Sequence, residues 1–187
     1  MASEAGRGAM RRPPALLVIG IHREELAFGE RVAEGVDPAR ADVQRIPDGL
    51  SGRHPRADQR FHHELLHAAL YEQLLPLASG RYRVLIDLHS GRDRDGPSVD
   101  LYCGHPRFCQ ALAAALAREG LAGRGIEVVP LGDSVATVIP RRIWDNPRFL
   151  YVGMEVYLPD GEQGEAVELA RRLVGLVSQE AQAFEGG

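Results

Sequence analysis

Short apolar runs, each bounded by proline, glycine or charged residues, recur along the chain and predict buried β-strands. The clearest is Ala15–Ile21, which follows two prolines and is apolar throughout, as expected of a strand covered on both faces. Arg83–Leu88 has the same character from Val84 to Ile86. The predicted strands are Ala15–Ile21, Asp42–Ile46, Arg83–Leu88, Ser98–Tyr102, Ile126–Val129 and Phe149–Val156.

Helical segments fill the intervals between these strands. Phe108, Leu112 and Leu116 recur on one face of a predicted helix that Gly120 terminates. Strands and helices therefore alternate, which predicts a single α/β domain with a mixed, mostly parallel sheet flanked by helices. The predicted helices are Glu24–Glu34, Asp58–Leu75, Arg107–Glu119 and Glu165–Phe184.

The length of 187 residues suits one domain with a sizeable core. We expect Met1–Pro14, which is polar and small, to be a flexible tail, and residues 15–187 to form the domain. The tail does not resemble a signal peptide, and no apolar run is long enough to cross a bilayer. We therefore expect a cytoplasmic location and no membrane partner.

The formal net charge of −4 gives no indication of a nucleic-acid partner. The chain contains no lysine, which is typical of a GC-rich bacterial coding bias and excludes Schiff-base lysine and Walker A chemistry. Cys103 and Cys109 are too few for a disulfide framework, and we expect both to be free thiols.

Candidate metal ligands follow two buried strands at their carboxyl ends, where the active sites of α/β sheets lie. His22 and Glu25 form an H-x-x-E pair at the turn from the first strand to the first helix, and His89 follows a later strand. Two histidines and one glutamate are a catalytic zinc set that leaves a position open for water. Asp87, on the same strand face as His89, could orient a ligand imidazole, although an N-cap or a salt bridge would explain it equally.

A hydrolytic metal site also needs a carboxylate base that is not itself a ligand. Glu155 lies within the apolar run Tyr151–Leu158, near the end of a late predicted strand. An unpaired carboxylate costs free energy in a core, so Glu155 either faces a polar site or forms an ion pair with an arginine.

A second metal pattern, H-E-x-x-H, occurs at His63–His67 in a predicted helix. A helix-borne zinc protease needs a third ligand downstream, and none follows here in a helical context. The apolar residues of this helix, among them Leu65 and Leu66, spread around most of its circumference. We therefore expect the helix to be largely packed, with its histidines partly exposed or satisfied by ordinary hydrogen bonds, and we prefer the site at the strand ends.

The motifs G-x-H-x-x-E and D-L-H-S, followed by a strand glutamate, together resemble the aspartoacylase/succinylglutamate desuccinylase branch of the zinc carboxypeptidase superfamily. The resemblance extends from about Ala15 to Leu158 and implies a zinc-carboxypeptidase-like fold. It also implies one zinc ion per chain. The implied ligands are His22, Glu25 and His89, and the implied general base and acid is Glu155.

Two positions depart from the family pattern. Glu24 is a rival to Glu25, which we prefer because its H-x-x-E spacing matches the family. The family's D-x-N-R motif, which meets the substrate's carboxylate and scissile carbonyl, has its nearest match in Ala57-Asp58-Gln59-Arg60. This match implies that Arg60 holds the substrate's carboxylate or stabilises the oxyanion, with Gln59 as a further contact. The rival binders of an anionic group are Arg53, Arg56 and Arg92.

These residues predict a zinc-dependent hydrolase that cleaves the amide bond of an N-acyl amino acid or a small peptide-like substrate bearing a carboxylate. An N-formylglutamate-type amidohydrolase or a carboxypeptidase would use much the same chemistry. The family usually carries a C-terminal β-rich domain for which the predicted elements leave no room, so cell-wall peptides also remain candidate substrates. The alternatives from other classes are a degenerate, non-catalytic metal- or ligand-binding module and a helix-borne zinc protease.

Overall fold

Six strands form one sheet in the described part of the chain, which comprises residues 12–51, 60–92, 98–132, 137–158 and 163–185 of a computed structural model. The strands are β1 (Ala15–Ile19), β2 (Ala41–Arg45), β3 (Val84–Gly91), β4 (Ser98–Cys103), β5 (Ile126–Pro130) and β6 (Leu150–Tyr157). A 3-10 turn at Arg23–Glu25 precedes the first helix. The helices are α1 (Leu26–Ala33), α2 (Arg60–Ala78), α3 (Pro106–Arg118), α4 (Arg141–Trp144) and α5 (Gly164–Ala183).

The order of the strands brings the ends of four of them to one edge of the sheet. The order is β2-β1-β3-β6-β4-β5. β1, β2, β3 and β6 are parallel, whereas β4 is antiparallel to β6 and β5 is parallel to β4. The carboxyl ends of β1, β3 and β6 therefore meet the amino end of β4. This arrangement confirms the predicted α/β domain with a mixed, mostly parallel sheet flanked by helices.

Both faces of the sheet are covered, which explains why its central strands are almost continuously apolar. One face packs against α1, α3 and α5 in a first core. The other face packs against α2 and α4 in a second core. All residues of β1 are buried because its alternate side chains enter one core or the other. Within the described ranges, every helix is too short or too polar to cross a bilayer.

The predicted elements agree with the structure to within a few residues, apart from two differences. β3 continues through His89 to Gly91, so His89 lies inside a strand and not in the turn after it. The short helix Arg141–Trp144 was not predicted, because four residues are too few to establish a helical period. Cys103 and Cys109 are buried free thiols, as predicted. The predicted tail falls outside the described residues as far as position 11.

α2 is packed on one side only, so our expectation of a helix covered around most of its circumference is wrong. Leu65 and Leu66 are 56% and 54% exposed. The sheet covers a single face of the helix, and residues on that face recur every three or four positions. The buried residues of this face are His67, Tyr71, Leu74 and Ala78.

Truncation of a leucine should therefore cost much more stability in α3 than on the outer face of α2. We expect Leu112→Ala, at a fully buried position, to lower the free energy of unfolding by about 2–5 kcal/mol. We expect Leu66→Ala to change it by less than about 0.5 kcal/mol. Equilibrium urea denaturation measures both changes. A loss in Leu66→Ala as large as that in Leu112→Ala would contradict the one-sided packing of α2.

Candidate metal centre

The turn after β1 brings His22 and Glu25 together. Gly20 begins this turn with a φ of +83°, and a Cβ atom there would lie 2.6 Å from the carbonyl oxygen of Ile46. Only glycine fits both conditions without strain. The following 3-10 turn then directs the two side chains of the H-x-x-E pair at each other. His22 Nδ1 lies 2.8 Å from Glu25 Oε1.

β3 contributes the second histidine of the cluster. β1 and β3 are adjacent and parallel, so His89 reaches the same edge of the sheet as the turn after β1. His89 Nδ1 lies 3.0 Å from Glu25 Oε2, so each carboxylate oxygen of Glu25 meets one imidazole. Candidate ligand atoms of His22, Glu25 and His89 all lie within 4.8 Å of one another. Glu24 instead accepts a hydrogen bond of 2.8 Å from the Ser51 hydroxyl, which favours Glu25 as the ligand.

The pKa values of Glu25 and His89 reflect the close approach of these residues. Burial would raise the pKa of Glu25, but its contacts with His22 and His89 outweigh burial and lower this pKa. Burial would likewise lower the pKa of His89, yet the carboxylates of Asp87 and Glu25 raise it well above its ordinary value. Two imidazole nitrogens converging with one carboxylate are a donor set that fits a zinc ion. Among the described residues, no other group brings three such ligands this close together.

Asp87 fixes the ring of His89 through Nε2, the ring nitrogen that does not face Glu25. Its Oδ2 atom lies 3.1 Å from His89 Nε2 and accepts hydrogen bonds from Tyr71 and Tyr151 at 2.5 and 3.0 Å. Burial, followed by the Asp87 carboxylate, raises the pKa of both tyrosines well above the ordinary value, so both remain donors. Because Nε2 of His89 faces Asp87, Nδ1 is directed towards Glu25. This is the outer-shell arrangement that orients metal-binding histidines.

His67, which was not predicted to belong to the site, contacts the other candidate ligand, His22. His67 is 3% exposed, and its Nε2 atom lies 2.8 Å from His22 Nε2. Burial, with smaller contributions from His22 and His63, lowers the pKa of His67 to about 4. The sequence signal that could have found it is spacing, because His67, Tyr71, Leu74 and Ala78 recur at the helical intervals of three or four residues.

The first histidine of H-E-x-x-H points elsewhere. His63 Nε2 lies 3.3 Å from the carbonyl oxygen of Ser51, although the rings of His63 and His67 are only 4.3 Å apart. In the described part of the chain, these two histidines share no third ligand. The structure therefore supports the strand-end cluster over a helix-borne zinc site, while His67 is buried more deeply than we expected.

Glu155 lies beside the cluster on β6. It is the register partner of His89 on β3 and of Asp100 on β4. A Cβ atom at Gly91 would lie 2.9 Å from Glu155 Oε1, so this glycine leaves room for the carboxylate. Burial raises the pKa of Glu155 to about 7. No arginine of the described ranges forms an ion pair with Glu155, which favours the polar-site alternative over the structural ion pair.

A cavity of about 270 Å³ opens in front of these groups. His22, His67, His89 and Glu155 form its polar side. The remaining lining is mostly apolar or aromatic. Its residues are Tyr71, Tyr102, Leu131, Thr137, Val138, Ile139, Tyr151 and Gly153.

In the described part of the structure, none of the predicted substrate-binding residues contacts this cavity. Gln59 falls outside the described residues, as do Arg53 and Arg56. Arg60 is the first residue of α2, but its side chain is also outside the description. Arg92 is exposed, and no arginine appears among the described residues that line the cavity.

A larger cavity of about 360 Å³ lies near the opposite edge of the sheet. It is lined by the exposed Arg83 and Arg148 together with His105, which caps α3 by accepting a hydrogen bond from the Phe108 amide. None of the clustered carboxylates and histidines lies there. The chemistry of the site therefore belongs to the smaller cavity.

Asp100 is a further buried acid near the site, and it was not predicted from the sequence. It is 1% exposed and accepts hydrogen bonds from the hydroxyls of Tyr102 and Tyr157, each at 3.2 Å. It sits opposite Glu155 across the antiparallel pair β4 and β6. These tyrosines and Asp100 support the wall of the cavity on the side away from His22.

Comparison with known proteins finds no matching family model and no matching curated protein. Among solved structures, the chain resembles the CwlD amidase from Clostridioides difficile, solved in complex with the GerS lipoprotein, at 11% identity and a TM-score of 0.54. That match covers 91% of this chain and 98% of the amidase. A metallo-carboxypeptidase from Burkholderia cenocepacia has 12% identity and a TM-score of 0.57, over 99% of this chain and 60% of the carboxypeptidase.

A mutant of murine aminoacylase 3 is similar at 16% identity and a TM-score of 0.50, over 93% of this chain and 66% of the aminoacylase. The chain thus spans less than two thirds of the length of the carboxypeptidase and of the aminoacylase. At sequence identities this low, the structural similarity is evidence for a shared fold only. It confirms the predicted zinc-carboxypeptidase-like architecture.

The buried carboxyl group of Glu155 should make the stability of the metal-free protein depend on pH. Because its pKa is raised to about 7 in the folded state, its contribution is fully present below the unfolded-state pKa of about 4.5 and is lost as pH rises through about 7. Glu155→Gln removes this titration. We therefore expect the stability of Glu155→Gln relative to wild type to increase by roughly 2–3 kcal/mol from pH 4.5 to 8.

Urea denaturation of chelator-treated protein at several pH values measures this difference. Glu127→Gln, which removes an exposed glutamate of β5, is the matched control for loss of one carboxyl group. A stability difference between Glu155→Gln and wild type that stays constant over this pH range would contradict the expected burial effect.

Proposed function

We propose that this chain is a metal-dependent hydrolase that cleaves an amide bond. The observation that carries the proposal is the convergence of His22 Nδ1 and His89 Nδ1 on the two oxygens of Glu25, with Glu155 on the neighbouring strand. Two histidines and a carboxylate, next to a second carboxylate with a raised pKa, combine a metal site with a base. The shared fold with an amidase, a carboxypeptidase and an aminoacylase supports this reading.

His22, Glu25 and His89 would hold one zinc ion through two Nδ1 atoms and one carboxylate. When bound, zinc supplies Lewis acidity, which polarises a substrate carbonyl and acidifies a water molecule. Asp87 acts on the ligand His89 and not on the substrate. Its buried carboxylate, held by Tyr71 and Tyr151, keeps the His89 ring in one orientation.

Glu155 would serve as the general base and then as the general acid. Its carboxylate accepts a proton from the attacking water and later donates that proton to the nitrogen of the leaving amine. A pKa near 7 suits both halves of this transfer, because the group then gains and loses a proton readily near neutral pH. The apolar wall of the cavity limits the access of bulk water to the carboxylate.

The substrate would be an N-acyl amino acid or a small peptide-like molecule that bears a carboxylate. We assign recognition of this carboxylate to Arg60, which would also stabilise the oxyanion, with Gln59 and Arg92 as further contacts. Arg60 is the first residue of α2, about two turns before His67, which contacts the metal cluster. This position on the fold supports the assignment.

A second candidate is hydrolysis of an amide in a larger peptide, such as a cell-wall peptide. Val138 lines the cavity and is 47% exposed, so the cavity mouth has an accessible apolar rim. Such a rim suits an extended substrate better than a fully enclosed one. The chain also matches almost the full length of the CwlD amidase. Turnover of acyl-amino acids compared with cell-wall peptides distinguishes the two candidates.

The metal content of purified protein tests the ligand assignment. We expect about one zinc ion per chain in wild type and in His63→Ala, because the His63 side chain lies outside the cluster. His89→Ala removes one of three ligands and should lose the metal. Elemental analysis of the three proteins, prepared in parallel, measures this. Loss of zinc from His63→Ala with retention in His89→Ala would establish a helix-borne site instead.

The role of Glu155 predicts a separation of metal binding from turnover. We expect Glu155→Gln to keep its zinc and to lose about 10²–10⁴-fold in kcat on an acyl-amino-acid or peptide substrate, because Gln cannot accept the proton. Zinc analysis and steady-state kinetics on the same preparation measure both quantities. Stoichiometric zinc in wild type without turnover of any substrate in the panel would favour a non-catalytic metal-binding module.

A further inference from the structure

In both candidate ligand histidines, Nε2 is the ring nitrogen that does not face Glu25, and it contacts a chemically different group in each. Nε2 of His89 faces the carboxylate of Asp87 at 3.1 Å, whereas Nε2 of His22 faces Nε2 of His67 at 2.8 Å. A contact of this length between two ring nitrogens is a hydrogen bond in which one imidazole donates and the other accepts. The direction of that bond decides which nitrogen of His22 is available to a metal.

The main chain of α2 determines this direction. His67 Nδ1 lies 3.3 Å from the carbonyl oxygen of His63, and a carbonyl oxygen can only accept, so Nδ1 of His67 carries the proton. An imidazole that binds a metal through Nδ1 carries its proton on Nε2, so in the Nε2–Nε2 contact His22 donates and Nε2 of His67 accepts. Nδ1 of His22 lies 2.8 Å from Glu25 Oε1, a carboxylate oxygen that can only accept, and is then the nitrogen at which a metal would replace a proton.

We propose that His67 is a positioning residue of the metal centre, a hydrogen-bond acceptor that fixes the tautomer and ring orientation of His22. This inference rests on the proposed function, because it assumes that His22 Nδ1 binds the metal. The hydrogen bonds form a relay from the His63 carbonyl through His67 to His22 Nε2. The relay leaves Nδ1, on the Glu25 side of the ring, as the metal-binding nitrogen of His22, as Asp87 does for His89.

The surroundings of His67 fit this role. Its side chain is almost fully buried at the start of the stripe that continues through Tyr71 and Leu74, so the packing of α2 fixes its position. The rings of His22 and His67 meet edge to face at 70°, with centroids 5.1 Å apart. An imidazole also orients His22 without adding negative charge to a site that already contains Glu25, Asp87 and Glu155.

The relay gives H-E-x-x-H a function other than that of a zinc-protease motif. Its second histidine acts on a ligand and is not a ligand itself. Its first histidine contributes the main-chain carbonyl, which survives any side-chain substitution. Replacing the side chain of His63 should therefore leave the relay intact, which makes His63→Ala a matched control.

The test compares zinc affinity in wild type, His67→Leu, His67→Gln and His63→Ala by competition with a chromophoric chelator. We expect His67→Leu to weaken binding by about 10–100-fold, because it removes the acceptor while filling a similar volume. His67→Gln offers a carbonyl oxygen at similar reach and should recover most of the affinity. His63→Ala should bind zinc like wild type. Thermal unfolding of the metal-free proteins controls for loss of the fold.

Long-range ¹H–¹⁵N spectra of the zinc-loaded proteins give a readout that does not depend on activity. We expect His22 of wild type to show a protonated Nε2 and a metal-bound Nδ1, with slow exchange of the Nε2 proton. In His67→Leu this proton should exchange faster. A metal-bound Nε2 of His67 would overturn the proposal, because His67 would then be a ligand.

Equal loss of affinity in folded His67→Gln and His67→Leu would also overturn it, as would wild-type affinity in His67→Leu. Failure of the proposed function is distinguishable from these results. It would be seen as absence of zinc from wild type, or as undiminished zinc binding by His89→Ala.

Discussion

The carboxylate of Glu25 joins two parts of the chain that are distant in sequence, and the geometry of the whole site depends on it. One oxygen meets His22 from its own turn, and the other meets His89 from β3. Both contacts require β1 and β3 to be adjacent and parallel, with a tight turn at Gly20 between β1 and the site. The two apolar cores hold that pairing in place, so the burial of strands determines the position of polar groups.

The three acidic residues of the site have different environments, and the differences separate their roles. Glu25 lies between two imidazoles, which lower its pKa and keep it ionised as a ligand would be. Asp87 is fully buried, but three donors converge on one of its oxygens, and its pKa is also lowered. Glu155 has no such donor among the described residues, so burial dominates and raises its pKa. The three carboxylates at this edge of the sheet therefore fall into two classes. Glu25 and Asp87 are ionised, whereas Glu155 can exchange a proton near neutral pH.

The fold class and the convergence of the main site residues could be predicted because both follow from strand ends. Apolar runs locate β1, β3 and β6, and parallel strands bring the residues at their carboxyl ends to one edge. His22, His89 and Glu155 were selected on that basis, and the structure brings them together; their roles remain predictions. The partners behind them were not predicted, because Tyr71 and Tyr151 reach Asp87 only after helix and sheet have packed. The substrate-binding assignment at Arg60 rests on a weak motif match, and its side chain lies outside the described part of the structure.

The H-E-x-x-H segment illustrates why spacing alone does not determine chemistry. An interval of four places His63 and His67 on the same side of α2, as it would in a helix-borne zinc site. What differs is the position of the helix relative to the sheet. His67 lies over the strand ends and meets His22, whereas His63, one turn earlier, meets the loop at Ser51. Neighbouring turns of one helix therefore contact different parts of the fold, and the same two residue types acquire different partners.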